Sequence, residues 1–304
     1  MKILITGSSG FLGQHLIKEM ADHELILPSH KEADCSKVDI MPFLHEVDAV
    51  VHLAAVCGGI GVNKDNPGKF IYENMKMGMN MLEMTRKFAP HARFVFMGTV
   101  CQYPKYTMVP FREADLWLGY PEETNAPYGI AKRAIMEMGA AYNTQYYTQV
   151  VNLLPVNMAG EWDNFDLYSS HVIPALIRKF EEAEDSRGCF VNLWGNGSAS
   201  REFMYAGDCA KAIRKAVEGE YPGPEPINIG TGKEIKIRDL AELIKKIGGY
   251  TSNIIWDESK PNGQPRRCLD VTRAKERLGW EAETEIEDLL RRTIEWYRKN
   301  RQQQ

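Results

Sequence analysis

In the first half of the chain, short unbroken apolar runs alternate with longer stretches whose apolar residues recur every three or four positions. The runs at 2–5, 25–27, 49–53, 93–97 and 149–154 read as buried strands. Between them, 11–21, 41–46, 70–88 and 131–145 read as helices. This alternation predicts an α/β fold, a doubly wound parallel sheet of Rossmann type covered on both faces. The second half is less regular. Helices are expected at 170–183, 206–218, 237–247, 273–278 and 286–300, loops at "YPGPEP" and "SKPNGQPRR", and a frayed end at "RKNRQQQ".

Composition narrows the class without choosing a chemistry. The 304 residues are enough for a substantial core, and 44% apolar with 26% charged is ordinary for a soluble globular chain. A net charge of −4 gives no electrostatic case for nucleic acid or an anionic membrane. No apolar run approaches transmembrane length. The start, "MKILITGSSG", runs straight into a glycine turn without signal-peptide anatomy. Six cysteines lack metal-ligand spacing, so reduced thiols in a cytoplasmic protein, with no metal, are expected. Met75, Met77, Met79, Met81 and Met84 do not share one helical face; core and interface packing account for them better than metal binding.

Candidate chemistry begins at the first turn. "KILITGSSGFLGQHL" puts Gly7, Gly10 and Gly13 directly after a strand and at the start of a helix. There, bare backbone amides and the positive helix end suit a dinucleotide pyrophosphate. An NAD-selective fold places an acid at the end of the second strand; here that tip is Ser29, His30 and Lys31, which suits the extra phosphate of NADP. Glu32 and Asp34 are near enough to keep NAD open. Further on, "APYGIAKRA" holds Tyr128 and Lys132 four apart, on one helical face. A neighbouring lysine lowers the cost of a phenolate, so Tyr128 is a candidate proton donor and acceptor. Thr99, at the end of a separate strand, can supply another hydroxyl contact to a substrate oxygen.

Taken with "HLAA" at 52–55, these motifs resemble an extended short-chain dehydrogenase/reductase and, within that superfamily, the GDP-L-fucose synthase family. The likeness runs end to end. "GTVCQYP" resembles the family's GSSCIYP, "EETNAPYGIAK" its EPTNxPYxIAK, and "DNFDLYSSHVIPALIRKF" its DNF…SHVIPAL. "LWGNGSASREFMYAGDCA" is similar to WGxGxxxREFxxVDDxA, and "KPNGQPRRCLDVTRAKERLGW" to KPDGTPRKxLDxxR…LGW.

The resemblance implies NADPH-dependent 3,5-epimerisation and 4-keto reduction of a GDP-4-keto-6-deoxyhexose. It assigns catalysis to Thr99, Cys101, Tyr128, Lys132 and His171, with Cys101 and His171 exchanging protons beside the ketone. A thiolate and an imidazole both suit that work near neutral pH. For the cofactor it implies Gly7, Ser9, Gly10, Phe11, Leu12, Gly13, Ser29, His30, Lys31, Asp39 and Ile40. Leu53, Ala54, Ala55, Tyr128, Lys132, Pro155, Asn157 and His171 complete that set. For the sugar nucleotide it implies Asn157, Lys179, Trp194, Arg201 and Arg267, the basic ones meeting the diphosphate. It further implies a homodimer through a four-helix bundle, residues 1–157 as the NADP-binding domain with 203–230 returning to it, and 158–304 as a smaller, discontinuous α/β substrate domain. Glu161 stands where the family has proline, Gly207 replaces the first acid of a pair, and Lys179 replaces arginine. These departures bear on which sugar is used; a C4-reductase or epimerase/reductase on a related GDP-4-keto heptose or 3,6-dideoxyhexose and a simple NDP-sugar 4-epimerase remain alternatives.

Overall fold

The computed structural model describes residues 1–260 and 263–301; Pro261 and Asn262 of the expected loop, and Gln302, Gln303 and Gln304 of the expected frayed end, lie outside the described residues. The first half builds β1 (Lys2–Thr6), α1 (Phe11–Glu19), β2 (Glu24–Ile26), β3 (Ala49–His52), α2 (Ile60–Asp65), α3 (Pro67–Phe88), β4 (Arg93–Met97), α4 (Ala126–Tyr146) and β5 (Val150–Pro155). The second half adds β6 (Asn157–Ala159), α5 (Val172–Asp185), β7 (Phe190–Trp194), β8 (Ser200–Tyr205), α6 (Ala206–Glu218) and β9 (Ile227–Ile229). It closes with β10 (Glu234–Lys236), α7 (Ile237–Gly248), β11 (Asn253–Asp257), α8 (Thr272–Leu278) and α9 (Ile286–Asn300).

The main sheet runs in the order β2-β1-β3-β4-β5-β9, every neighbouring pair parallel. Its strands are largely apolar because successive side chains feed two different cores. Ile3, Ile5, Ala49, Val51 and Val95 pack with Leu16 of α1 and Ile213 of α6. Leu4, Val50, Phe94 and Phe96 pack with Met81 and Leu82 of α3 and Ile135 of α4. Met81 and Met84 are buried while Met79 is exposed, so the methionine run is split between core and surface.

Two elements depart from the periodicity. The helix expected at 41–46 is a 3-10 helix over Val38–Leu44 with Pro42 inside it, and a residue without an amide hydrogen cannot continue an α-helical ladder. Helix α4 starts five residues earlier than expected, at Ala126, with Pro127 in its first turn, where the missing amide costs nothing. Tyr128 is therefore fixed by helix rather than by loop.

A second, smaller layer follows. Strand β8 joins β6 and β10, and β7 pairs in parallel with β11. Phe165, Ile177, Phe180, Leu193, Leu240 and Leu290 form its core. Helix α6 and strand β9 turn back to the main sheet, α6 packing on α1 and β9 pairing with β5, whereas residues 203–205 stay in the smaller layer as part of β8. Only Val156 separates β5 from β6, and its amide donates to the Ile229 carbonyl at 3.0 Å. Among the described residues no helix is long and apolar enough to cross a membrane.

Helices α3 and α4 meet at Gly78, where a Cβ would overlap the fully packed Ile135 side chain. Gly78→Ala therefore destabilises the protein by about 1–2 kcal/mol in urea unfolding, because overpacking outweighs the better helix propensity of alanine. A more stable variant would show that Ile135 can turn aside.

Candidate active site and cofactor cradle

The turn after β1 is built backbone against backbone. Gly7 has φ of 72°, and a Cβ there would lie 2.7 Å from the Ala54 amide nitrogen. A Cβ at Gly13 would overlap the Ser8 carbonyl oxygen. Only glycines let this turn, the Leu53–Ala54 backbone and α1 approach so closely. Gly10 caps α1 without a side-chain hydrogen bond, leaving the first-turn amides available to an anion. Leu53 donates to the Thr6 carbonyl at 3.1 Å, Ser9 is exposed in the turn, and Phe11, Leu12, Ala54 and Ala55 are half-buried around it. The bare turn and the free amides at the start of α1 fit a dinucleotide pyrophosphate.

Past β2, Ser29, His30 and Lys31 are exposed. The two nearby acids are turned on their own turns. Glu32 accepts from the Ser29 amide at 2.8 Å. Asp34 accepts from the Ser36 amide at 2.9 Å and pairs with Lys37 at 3.1 Å, which holds its carboxyl at about 2. Asp39 is exposed, whereas the Ile40 side chain is wholly buried in the α3–α4 core and only its backbone is available to a ligand. Pro155, also buried, ends β5, and half-buried Asn157 opens β6.

At the end of β4, Thr99 caps a 3-10 turn, Val100–Gln102. Its Oγ1 accepts from the Cys101 amide at 3.2 Å, while Gln102 Oε1 accepts from the Thr99 amide at 2.8 Å. The Thr99 hydroxyl hydrogen is left to donate elsewhere. Helix α4 lies directly on this turn, because a Cβ on Gly129 would overlap the Cys101 carbonyl oxygen. Buried Lys132 donates to the Met97 carbonyl at 2.9 Å and sits 4.8 Å from the Phe96 ring centroid and 5.8 Å from that of Tyr128. Burial lowers its ammonium to about 8. Burial, reinforced by Cys57 and Cys101, pushes the Tyr128 phenol well above the usual tyrosine range. The phenol is thereby favoured in its neutral form.

His171 comes from the other side, as the N-cap of α5. Its ring keeps water contact, but the crowding of surrounding protein holds the imidazole below its ordinary value. The loop before α2 reaches its segment. The Asn74 side chain clamps Val56 by both edges, accepting from its amide at 3.1 Å and donating to its carbonyl at 2.9 Å. Gly59 then donates to the Ser169 carbonyl at 2.8 Å. Cys57, between these anchors, acts electrostatically on Tyr128 and Lys132 and is itself acted on by Asp163. Asp163 is 4% exposed; one carboxylate oxygen accepts the Asn164 amide at 2.8 Å and the other has no partner, and burial raises the acid to about 7.

Half-buried Arg201 and Arg267 close the cleft on the Cys101 side. Arg267 Nη1 lies 3.7 Å from the Cys101 sulfur, and burial with the neighbouring Arg267 lowers Arg201 to about 10. Lys179 and Trp194 form a separate group: the Lys179 ammonium is 6.0 Å from the indole centroid and Lys260 flanks it at 5.8 Å. Thr99, Arg267, Arg201 and Tyr128 are therefore each linked to Cys101 by a contact or by electrostatic reach, and Lys132 joins through Tyr128. Cys57, Asp163, Gly129 and Lys260 escaped the sequence reading; only Gly129, a glycine inside a helical motif, carried a readable signal. Asp22, His23 and Glu218, grouped closely enough to hold a metal, are already bridged by Arg214, which pairs with Asp22 at 2.6 Å and Glu218 at 2.9 Å.

Asp163 gives a pH test. An acid whose folded value is raised to about 7 costs nothing at low pH, where both states are protonated; stability is lost as pH climbs from about 4 to 7 and then stays level. Asp163→Asn is thus more stable than wild type at pH 8 by about 2–4 kcal/mol in denaturant unfolding, with the gap narrowing towards pH 5. A gap that does not change with pH would refute a neutral buried acid.

Comparison with known proteins agrees with this geometry. Residues 3–230 match the NAD dependent epimerase/dehydratase family. The chain is 36% identical to GDP-L-fucose synthase of Escherichia coli (strain K12), covering 98% of this chain and 97% of that one. A crystal structure of a GDP-L-fucose synthetase from Naegleria fowleri bound to NADP superposes with a TM-score of 0.89 at 26% identity, covering 99% and 93% of the two chains. A GDP-6-OMe-4-keto-L-xylo-heptose reductase from C. jejuni gives a TM-score of 0.89 at 26% identity, covering 98% of each. By sequence and by fold, the chain belongs to the NAD dependent epimerase/dehydratase family, in its GDP-L-fucose synthase branch.

Proposed function

We propose that the protein is an NADPH-dependent enzyme that inverts carbons 3 and 5 of a GDP-4-keto-6-deoxyhexose and reduces its ketone, as a GDP-L-fucose synthase does. The observation that carries this reading is Cys101 on the same turn as Thr99, with the Tyr128 helix packed directly against it. A simple reductase needs the hydroxyl pair; the thiol beside it adds a group able to exchange a proton at the carbon next to the ketone.

In this reading Cys101 and His171 serve opposite faces of the sugar, one accepting the acidic hydrogen and the other returning a proton. Thr99 and Tyr128 hold the ketone oxygen and stabilise the negative charge that gathers there. NADPH, when bound, supplies hydride to carbon 4. Tyr128, favoured in its neutral form, delivers its proton to the oxygen, and Lys132, fixed on the Met97 carbonyl, holds a positive charge behind it. The glycine turn would hold the pyrophosphate. Exposed His30 and Lys31, beside acids engaged elsewhere, favour NADP over NAD. Arg201 would meet the diphosphate, with Lys179 and Trp194 offering a charge and an aromatic face to the rest of the nucleotide, whereas Arg267 is engaged with Gln264 and the Cys101 sulfur.

The same reading takes the enzyme as a cytoplasmic homodimer. Six free thiols suit a reducing compartment, and α3 and α4 lie side by side with Tyr72, Met79, Phe88 and Tyr146 exposed. A second reading, reduction alone on a related GDP-4-keto sugar, draws on the likeness to the C. jejuni heptose reductase. Incubation with GDP-4-keto-6-deoxymannose and NADPH in deuterated water separates the two. Deuterium at carbons 3 and 5 with NADPH consumption is expected, while reduction without exchange would leave the second reading. Cys101→Ala and His171→Ala each slow exchange by about a hundredfold or more, and Tyr128→Phe slows reduction by a similar factor with less effect on exchange.

A further inference from the structure

We propose that Arg267 is a positioning residue for proton exchange, its guanidinium holding the Cys101 sulfur in its reactive, negatively charged form. The inference rests on the reading of Cys101 as the proton-exchanging thiol and goes beyond it by naming what activates that thiol.

The guanidinium is aimed by a built support. Nη1 points at the Cys101 sulfur at 3.7 Å, while Nε donates to Gln264 Oε1 at 2.8 Å. Buried Gln264 in turn donates to the Lys105 carbonyl at 2.7 Å, four residues beyond Cys101 on the same segment. The backbone on either side is pinned as well. The Arg267 amide donates to the Ser200 carbonyl at 3.3 Å, and the Leu269 amide to the wholly buried carboxylate of Glu202 at 2.7 Å. The planar fork of arginine lets two of its nitrogens serve Gln264 and the sulfur together, which a lysine ammonium on a flexible stem does less well.

The charge balance around the sulfur points the same way. Arg201 is in electrostatic reach of both Arg267 and Cys101, and its own outward contact is a 2.7 Å hydrogen bond to the Ser200 carbonyl, not a carboxylate. Among the described residues neither guanidinium forms an ion pair, although Glu122 lies within reach of Arg201. Tyr128 from α4 also faces Cys101, and burial favours its neutral form. Two half-buried cations that form no ion pair favour negative charge between them, and the Cys101 sulfur is the ionisable acid in contact with Arg267. An adjacent cation raises the thiolate fraction of a cysteine, and thiolate is the form that takes a proton from carbon or attacks an alkylating agent.

Site-resolved alkylation tests this on the full-length protein without substrate or cofactor, so the outcome does not depend on which sugar is turned over. Iodoacetamide is added at pH 7 and the labelling of Cys101 is followed by peptide mass spectrometry, with exposed Cys189 as the reactivity control and fully buried Cys209 as the folding control. Arg267→Met is expected to slow Cys101 labelling about tenfold and leave Cys189 unchanged, while Arg267→Lys stays within about threefold of wild type. A merely space-filling role for Arg267 predicts the reverse, since the smaller side chain opens the sulfur to reagent. Labelling that is unchanged or faster in Arg267→Met, or as slow in Arg267→Lys as in Arg267→Met, overturns the proposal. Should Arg267→Met expose Cys209, Gln264→Ala decides: slower Cys101 labelling supports an aimed guanidinium, and unchanged labelling refutes it.

Discussion

The cleft depends on one place where two backbones touch. Helix α4 can settle on the turn after β4 only because Gly129 presents no Cβ to the Cys101 carbonyl. A glycine inside a helix costs about 1 kcal/mol relative to alanine. What that cost secures is the meeting of two otherwise independent pieces, the Tyr128–Lys132 face of the helix and the Thr99–Cys101 strand end. Lys132 then fastens the joint by donating to Met97, the last residue of β4. Helix, strand and turn are thereby locked into a single frame before any ligand arrives.

That frame is electrostatically unfinished. Lys132 is held at about 8 and Arg201 at about 10 because burial strips them of water, while Tyr128 is pushed the opposite way by the same burial. Each shift records a charge the protein would rather not carry alone. An anionic ligand would relieve the cations and a hydrogen-bond acceptor would meet the proton Tyr128 keeps, so the cost of organising the site is met by the fold rather than on binding.

Much of the main sheet was legible because strands buried on both faces write themselves as unbroken apolar runs, and because the first glycine turn follows one of them. The smaller layer was not. Strand β7 is wet on one face, with Val191 and Leu193 inward and Phe190 and Trp194 exposed, and β10 has three residues and no apolar run. Such strands exist through their partners, and partners distant in sequence leave no local trace. The site divides in the same way. Tyr128 and Lys132 share one helical face, so spacing alone related them. Cys57 and Asp163 reach the cleft through long-range anchors, the Asn74 clamp on Val56 and the Gly59–Ser169 hydrogen bond, which no local pattern encodes. For Tyr128 the sequence shows the neighbouring charge but not the surrounding protein that pushes its phenol up.

The passage from β5 to β6 has a mechanical meaning for the cleft. The main sheet and the smaller layer are joined there by a single residue, and that residue is tied to β9 through its amide. A linker of several free residues would let the two walls swing like a hinge; one tethered residue makes them behave as two ends of the same beam. Opening and closing of the cleft is then left to the loops along its rim rather than to the walls.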